Sequence, residues 1–396
     1  MKHVLCHLFF IAFLFSAEQI PAREIDPGTA AMSRGLLLTD SLMRTATTAE
    51  IQAIFNLRKV DFTAIYSVTA YKLVYLTIDV NGNTTRASGV ISLPDTLLHF
   101  PLLSYQHGTI MKDSEAISRN GSENFLSLGL ASIGNIVIAS DYLGLGESAG
   151  LHPYVHAKSL ASASLDFLKA AKTFLAKKNR AVTDSLFLMG YSEGGYATIA
   201  LQKEIEEHYS SEYQIVASAP MAGPYDLSGI MKSFMLNGKS HPSPAYVPYV
   251  VLAYNEIYGL FHSLREVFIA PYDSLLPTLF DGSKNTIEVN IEIPSAPKAL
   301  FQDSFIAEIK NNQSHPINQA LMKNDIYNWK PISPTTLYHS LEDDNVPYEN
   351  SVKAYEQFVK NGATSVRLDT LHAGKHTEAA IPIMLKAMKW FKTFQF

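Results

Sequence analysis

One hexapeptide, Gly190-Tyr191-Ser192-Glu193-Gly194-Gly195, constrains this chain more than any other segment. It is a G-x-S-x-G motif set between a short apolar run, Ser185-Leu186-Phe187-Leu188-Met189, and a helix-forming stretch from Tyr196 to Glu204. The apolar run has the character of a strand buried on both faces, and the stretch after it has helical spacing. A serine on so sharp a strand-to-helix turn is held in a strained conformation with its hydroxyl clear of the sheet. Glycines flank it because side chains there would meet the neighbouring backbones. This placement predicts a nucleophile elbow at Ser192.

The rest of the chain supplies the sheet such an elbow needs. Tyr71–Asp79 and Thr84–Leu93 flank Asn81-Gly82, a strong hairpin signal. Strands then alternate with helices: strands at 101–105, 136–140, 185–189 and 214–219, with helices at about 157–178 and after Ser192. The alternation stops near Pro224 and resumes at Thr335, with a helix at about 350–360, a strand at 365–371 and a last helix ending in Trp390-Phe391. This order implies an α/β fold with a mostly parallel central sheet and helices on both faces. Residues 23–60 are expected to form a leader and a peripheral helix. The interruption, about a hundred residues rich in Tyr, Phe, Met, Leu and Pro, is too long for a connecting loop and reads as an inserted helical cap. The expected organisation is a signal peptide over 1–22, core over 23–224, cap over 225–331 and core again over 332–396.

Lys2 followed by an apolar stretch from Val4 to Phe15 has the pattern of a cleaved export signal. Cys6, the single cysteine of the 396 residues, lies inside it. A processed chain would therefore have no disulfide, no thiol catalysis and no cysteine-ligated zinc. A net charge of −5 without a basic stripe argues against a nucleic-acid partner.

A serine hydroxyl needs a base, and the base needs a carboxylate to fix its tautomer. Both are expected on loops after late strands, in the order acid, then histidine. Asp343 stands four residues before Pro347, in a D-x-x-V-P spacing; Asp344 and Glu342 are its rivals. His376 opens the final helix and is preferred to His372. Glu193 would give its backbone N–H to an oxyanion hole at a helix amino terminus. A second donor is expected from Gln106-His107-Gly108-Thr109, with Thr109 N–H favoured and Gly108 allowing close approach. The Glu193 side chain and Asp141 read as structural groups. His152 and His156 are separated by Pro153 and lack the glutamate of a zinc helix. The glycines of Asp141–Gly146 lack dinucleotide-loop spacing.

Together these motifs resemble the α/β-hydrolase superfamily and, within it, the secretory lipase family. The resemblance runs from about Leu102 to Phe391. It rests on 104–109, 141–146, 190–195, Trp329-Lys330-Pro331, 343–347 and His376 before a terminal Trp-Phe. It implies a Ser192–Asp343–His376 triad, a cap that houses an acyl group, a small-molecule or lipid ester as substrate, contact with a lipid interface, and no cofactor or metal. A peptidase on the same scaffold and a non-catalytic binding protein are the alternative readings.

Overall fold

The computed structural model describes residues 34–394 except residue 122. The expected signal peptide and Cys6 lie outside the described residues. The first elements are β1 (Leu37–Ala46), α1 (Thr48–Leu57), β2 (Val68–Ile78), β3 (Thr84–Pro94), β4 (Phe100–Gln106) and α2 (Asn124–Ser132). They are followed by β5 (Ile136–Ser140), α3 (Ala157–Lys177), β6 (Val182–Tyr191), α4 (Glu193–His208) and β7 (Ile215–Met221). After the interruption come β8 (Thr335–Ser340), α11 (Glu349–Lys360), β9 (Val366–Leu371) and α12 (His376–Phe391).

The strands form one sheet in the order β1-β2-β3-β5-β4-β6-β7-β8-β9. The β1–β2, β2–β3 and β3–β5 pairs are antiparallel, and every pair from β5 to β9 is parallel. The Asn81-Gly82 hairpin forms as expected, with Gly82 at φ 87°. Residues 37–46, expected within a leader and peripheral helix, instead form edge strand β1. Their mostly exposed side chains lack alternation, and the pairing with β2 slips at two places.

Residues of β6 alternate between two cores, as the pleat requires. Phe187 and Met189 pack with Ile51 of α1, Leu128 of α2 and Ile383 of α12. Leu186 and Leu188 pack on the other face with Phe167 and Phe174 of α3 and Ile205 of α4. From β4 the chain moves outward to β5 and then crosses back to β6 on the opposite side of β4. A reversal of this kind opens a crevice at the carboxyl ends of the two strands. Gln106 pairs with Gly190 there, so residues 107–109 lie beside Ser192.

The stretch between β7 and β8 adds no strand to the sheet; beside one isolated bridge between Phe268 and Phe301 and short turns, it holds a π-turn (Leu227–Met231), α5 (Lys232–Met235), α6 (Tyr246–Tyr258), α7 (Tyr272–Leu279), α8 (Thr286–Glu292), α9 (Asp303–Asn311) and α10 (Pro316–Lys323). They share one apolar core with Tyr196 and Ile199 of α4. Two buried phenols fasten them to the sheet domain. Tyr254 Oη donates to the Val155 carbonyl at 3.0 Å, and Tyr196 Oη to that of Asn324 at 2.6 Å.

Candidate active site

Ser192 sits between β6 and α4 with φ 61° and ψ −123°. A non-glycine residue rarely adopts this conformation, at a cost of about 1–3 kcal/mol. The surrounding glycines explain how the turn closes. A Cβ on Gly194 would fall 2.0 Å from the Gln106 carbonyl oxygen, and one on Gly190 would fall 2.4 Å from that of Gly194. Neither backbone atom can move without unpairing the sheet or the helix, so both positions admit glycine alone.

The loops after β8 and β9 converge on this serine. His376 Nε2 is 2.9 Å from Ser192 Oγ, and its Nδ1 is 2.6 Å from Asp343 Oδ2. A carboxylate can only accept, so Nδ1 carries the proton and Nε2 is left to accept from the serine hydroxyl. The Asp343 side chain is fully buried. Burial raises its pKa, but hydrogen bonds and charge from His339 and His376 outweigh that and hold it well below the usual carboxylate range. Its Oδ1 also accepts from the backbone N–H groups of Asn345 at 2.9 Å and Val346 at 2.7 Å.

Each rival has another occupation. Glu342 binds His372 at the exposed rim of the site. Asp344 faces Lys375 at 3.3 Å and accepts from the backbone N–H of His376 at 3.4 Å.

Two supporting residues are not evident from the sequence reading. His339 Nε2 lies 3.4 Å from Asp343 Oδ2, while its Nδ1 meets Ser351 Oγ at 2.7 Å. The available signal was a histidine four residues before the acid, inside an apolar strand. Tyr191 Oη donates to the His376 carbonyl at 2.6 Å, fixing the entry of α12. Burial first, then Asp343 and Asp344, raises its phenol, which keeps this donor protonated.

Among the described residues, the backbone N–H groups of Glu193 and Thr109 have no protein acceptor. The Gly108 N–H is already committed to the Glu123 carboxylate, at 3.2 Å to Oε1. Glu123 is in turn held by the Tyr105 hydroxyl at 2.5 Å. Gly108 therefore contributes its small size and its anchoring, which leaves Thr109 N–H as the open donor. Thr109 Oγ1 also meets Tyr154 Oη at 3.1 Å.

Asp141 is structural, accepting from Ser88 Oγ at 2.5 Å and Ser118 N–H at 2.9 Å. His152 bonds the Glu193 side chain, and His156 bonds Ser159 Oγ at 3.0 Å. Among the described residues there is no group of three or more metal-ligating side chains.

Ser192 opens into a cavity between the sheet domain and the inserted helices. Its wall is almost wholly apolar, with Leu227, Met235, Val250 and Phe305 from the inserted segment facing Tyr154 and Val155. The arrangement can carry a proton relay at an activated hydroxyl beside an apolar acceptor site.

The family model for secretory lipases matches residues 114–394. A crystal structure from Legionella pneumophila is similar with a TM-score of 0.86 and 29% identity, over 91% of this chain and 98% of that one. The rice cell wall degrading esterase LipA from Xanthomonas oryzae is 31% identical with a TM-score of 0.81, over 90% of this chain and 96% of its own. Candida antarctica lipase A in its closed state shares the fold at TM-score 0.70 and 18% identity, over 93% and 84% of the two chains. The architecture is thus that of the α/β-hydrolases. No curated protein sequence matches the chain.

Proposed function

The chain belongs to the secretory lipase family, and we propose that it is an exported serine hydrolase that cleaves carboxylic esters through an acyl-enzyme. The hydrogen-bond chain from Ser192 through His376 to Asp343 carries this reading. His376 Nε2 takes the serine proton as Oγ attacks the ester carbonyl, forming a new C–O bond and a tetrahedral oxyanion. Asp343 stabilises the imidazolium. The N–H groups of Glu193 and Thr109 hold the oxyanion, at the amino terminus of α4 where the helix dipole favours negative charge. His376 then gives its proton to the departing alcohol. Water attacks the acyl-enzyme by the same route and regenerates the serine.

The apolar cavity supports an apolar acyl group as the part of the substrate that is buried, with contact at a lipid surface during delivery. The reading includes no cofactor and no nucleic acid. Its export rests on the family and on the amino-terminal pattern of a positive residue followed by an apolar run. A fluorophosphonate probe should label Ser192, and a panel of p-nitrophenyl esters should be hydrolysed in preference to aminoacyl anilides. Label on any other serine overturns the assignment.

A further inference from the structure

Glu193 places a carboxylate beside the position where negative charge develops in the proposed reaction. Its side chain is completely buried, and Oε1 lies 2.8 Å from His152 Nε2. His152 is equally buried, and its Nδ1 lies 2.7 Å from the Leu143 carbonyl oxygen. A carbonyl only accepts, so Nδ1 carries a proton. One further proton must occupy the contact between Nε2 and Oε1. Wherever that proton sits, the pair has no net charge: imidazolium with carboxylate, or imidazole with carboxylic acid.

Among the described residues Glu193 has no other ion-pair partner, and its Oε2 makes no hydrogen bond. Five phenols bear on it electrostatically. Tyr142 and Tyr154 come from the loop after β5, Tyr196 from α4, and Tyr246 and Tyr249 from α6. All five are raised above the ordinary range, by burial first, so they stay neutral there. Ring contacts seat His152 within this group, with centroids 5.9 Å from Tyr142 and 6.1 Å from Tyr249.

We propose that His152 is a positioning residue: it cancels the charge of the Glu193 side chain so that the Glu193 N–H can stabilise an oxyanion. This rests on the ester-hydrolase reading above. The carboxylate ties the amino terminus of α4 to the loop after β5, which directs the N–H. Its charge, left uncompensated, would oppose the oxyanion in a low-dielectric site.

The test compares kcat and KM of the parent, His152→Phe and His152→Phe/Glu193→Gln between about pH 5 and pH 9, a span over which an unpaired buried carboxyl ionises. Taking each variant's kcat as a ratio to the parent removes the pH dependence that all of them share. The His152→Phe ratio is expected to fall by about tenfold or more as pH rises, with KM little changed. The double variant, which has no carboxylate, should recover most of that loss at high pH and show a flat ratio. A merely structural histidine would give a flat ratio in His152→Phe and no rescue, and that result overturns the proposal. If His152→Phe does not fold, His152→Gln keeps a donor to the carboxylate without its charge and should show the same pH trend; a flat trend there also overturns it. Ser192→Ala serves as the control. Ester turnover that survives it defeats the Ser192 acyl-enzyme reading on which this inference rests, whereas its loss beside a flat His152→Phe ratio defeats this inference alone.

Discussion

Asp343 Oδ2 lies 2.6 Å from His376 Nδ1, while the adjacent Asp344 points away to Lys375. Asparagine at 343 would favour the wrong imidazole tautomer, so Asp343→Asn should lower kcat roughly 10⁴-fold. Asp344→Asn should change it by less than about tenfold, because that carboxylate meets Lys375 and the His376 backbone N–H but not the imidazole. Steady-state kinetics on one ester decides between them. Comparable losses in both would remove Asp343 from its assigned role. The depressed carboxyl also contributes stability above the ordinary aspartate range, about pH 3.9, and that contribution is lost as pH falls through the lower folded value.

Ser192→Ala should reduce ester turnover by roughly 10⁴–10⁶-fold while leaving the thermal midpoint unchanged or raised. The left-handed backbone at 192 is imposed by the elbow rather than by the hydroxyl. Calorimetry alongside the assay checks both halves. A parallel collapse of stability and activity would mean that the serine was structural.

The cavity predicts a chain-length effect. Val250→Trp fills part of its wall on α6. Long acyl chains should lose about 0.8 kcal/mol for each methylene displaced, close to fourfold in kcat/KM. Acetate esters should be little affected. A butyrate-to-palmitate series shows the effect, and an unchanged ranking in a folded variant would remove the acyl group from this cavity.

Asp325 provides a pH-dependent stability test away from the triad. Burial raises its carboxyl to about 6, against lowering by hydrogen bonds from Ser228. The fold therefore favours the protonated form. Its contribution is complete below about pH 4, the ordinary aspartate value, and is lost as pH rises through about 6. Asp325→Asn should raise the thermal midpoint by about 2–4 °C at pH 8 and give no gain at pH 4. Equal shifts at both pH values would contradict this.

Export predicts a processed chain. Protein recovered from the envelope or medium should begin between about residues 17 and 23 and lack a titratable thiol. Membrane-bound protein that retains residues 1–16 would indicate an uncleaved anchor.

The elements nearest the chemistry were the most legible in the sequence. The β6–elbow–α4 unit has an apolar strand, invariant steric demands at the glycines and a helical continuation. Asp343 and His376 each stand on a loop after a short strand, β8 fully buried and β9 half-exposed. Harder to read were β1, an exposed edge strand with two register slips, and α2. In α2 nearly every side chain is buried, so no apolar stripe distinguishes one face. Gly129 there lets Phe55 approach, since a Cβ would fall 2.3 Å from its ring. His339 was harder to read because its only local sign is the four-residue spacing to Asp343, and the turn that brings the two together lies beyond the strand.

The hydrogen bond from Ser192 to His376 closes a chain separation of 184 residues, with β7, the inserted helices, β8 and β9 between its ends. A contact of such long range forms only once the entropy of closing the intervening loop has been met, which slows it relative to local contacts. On the proposed mechanism the hydroxyl has no base until the last strand and helix are docked. An unfinished or partly unfolded chain should then be chemically silent, and the appearance of turnover during refolding would serve as a clock for the arrival of the carboxyl-terminal strands.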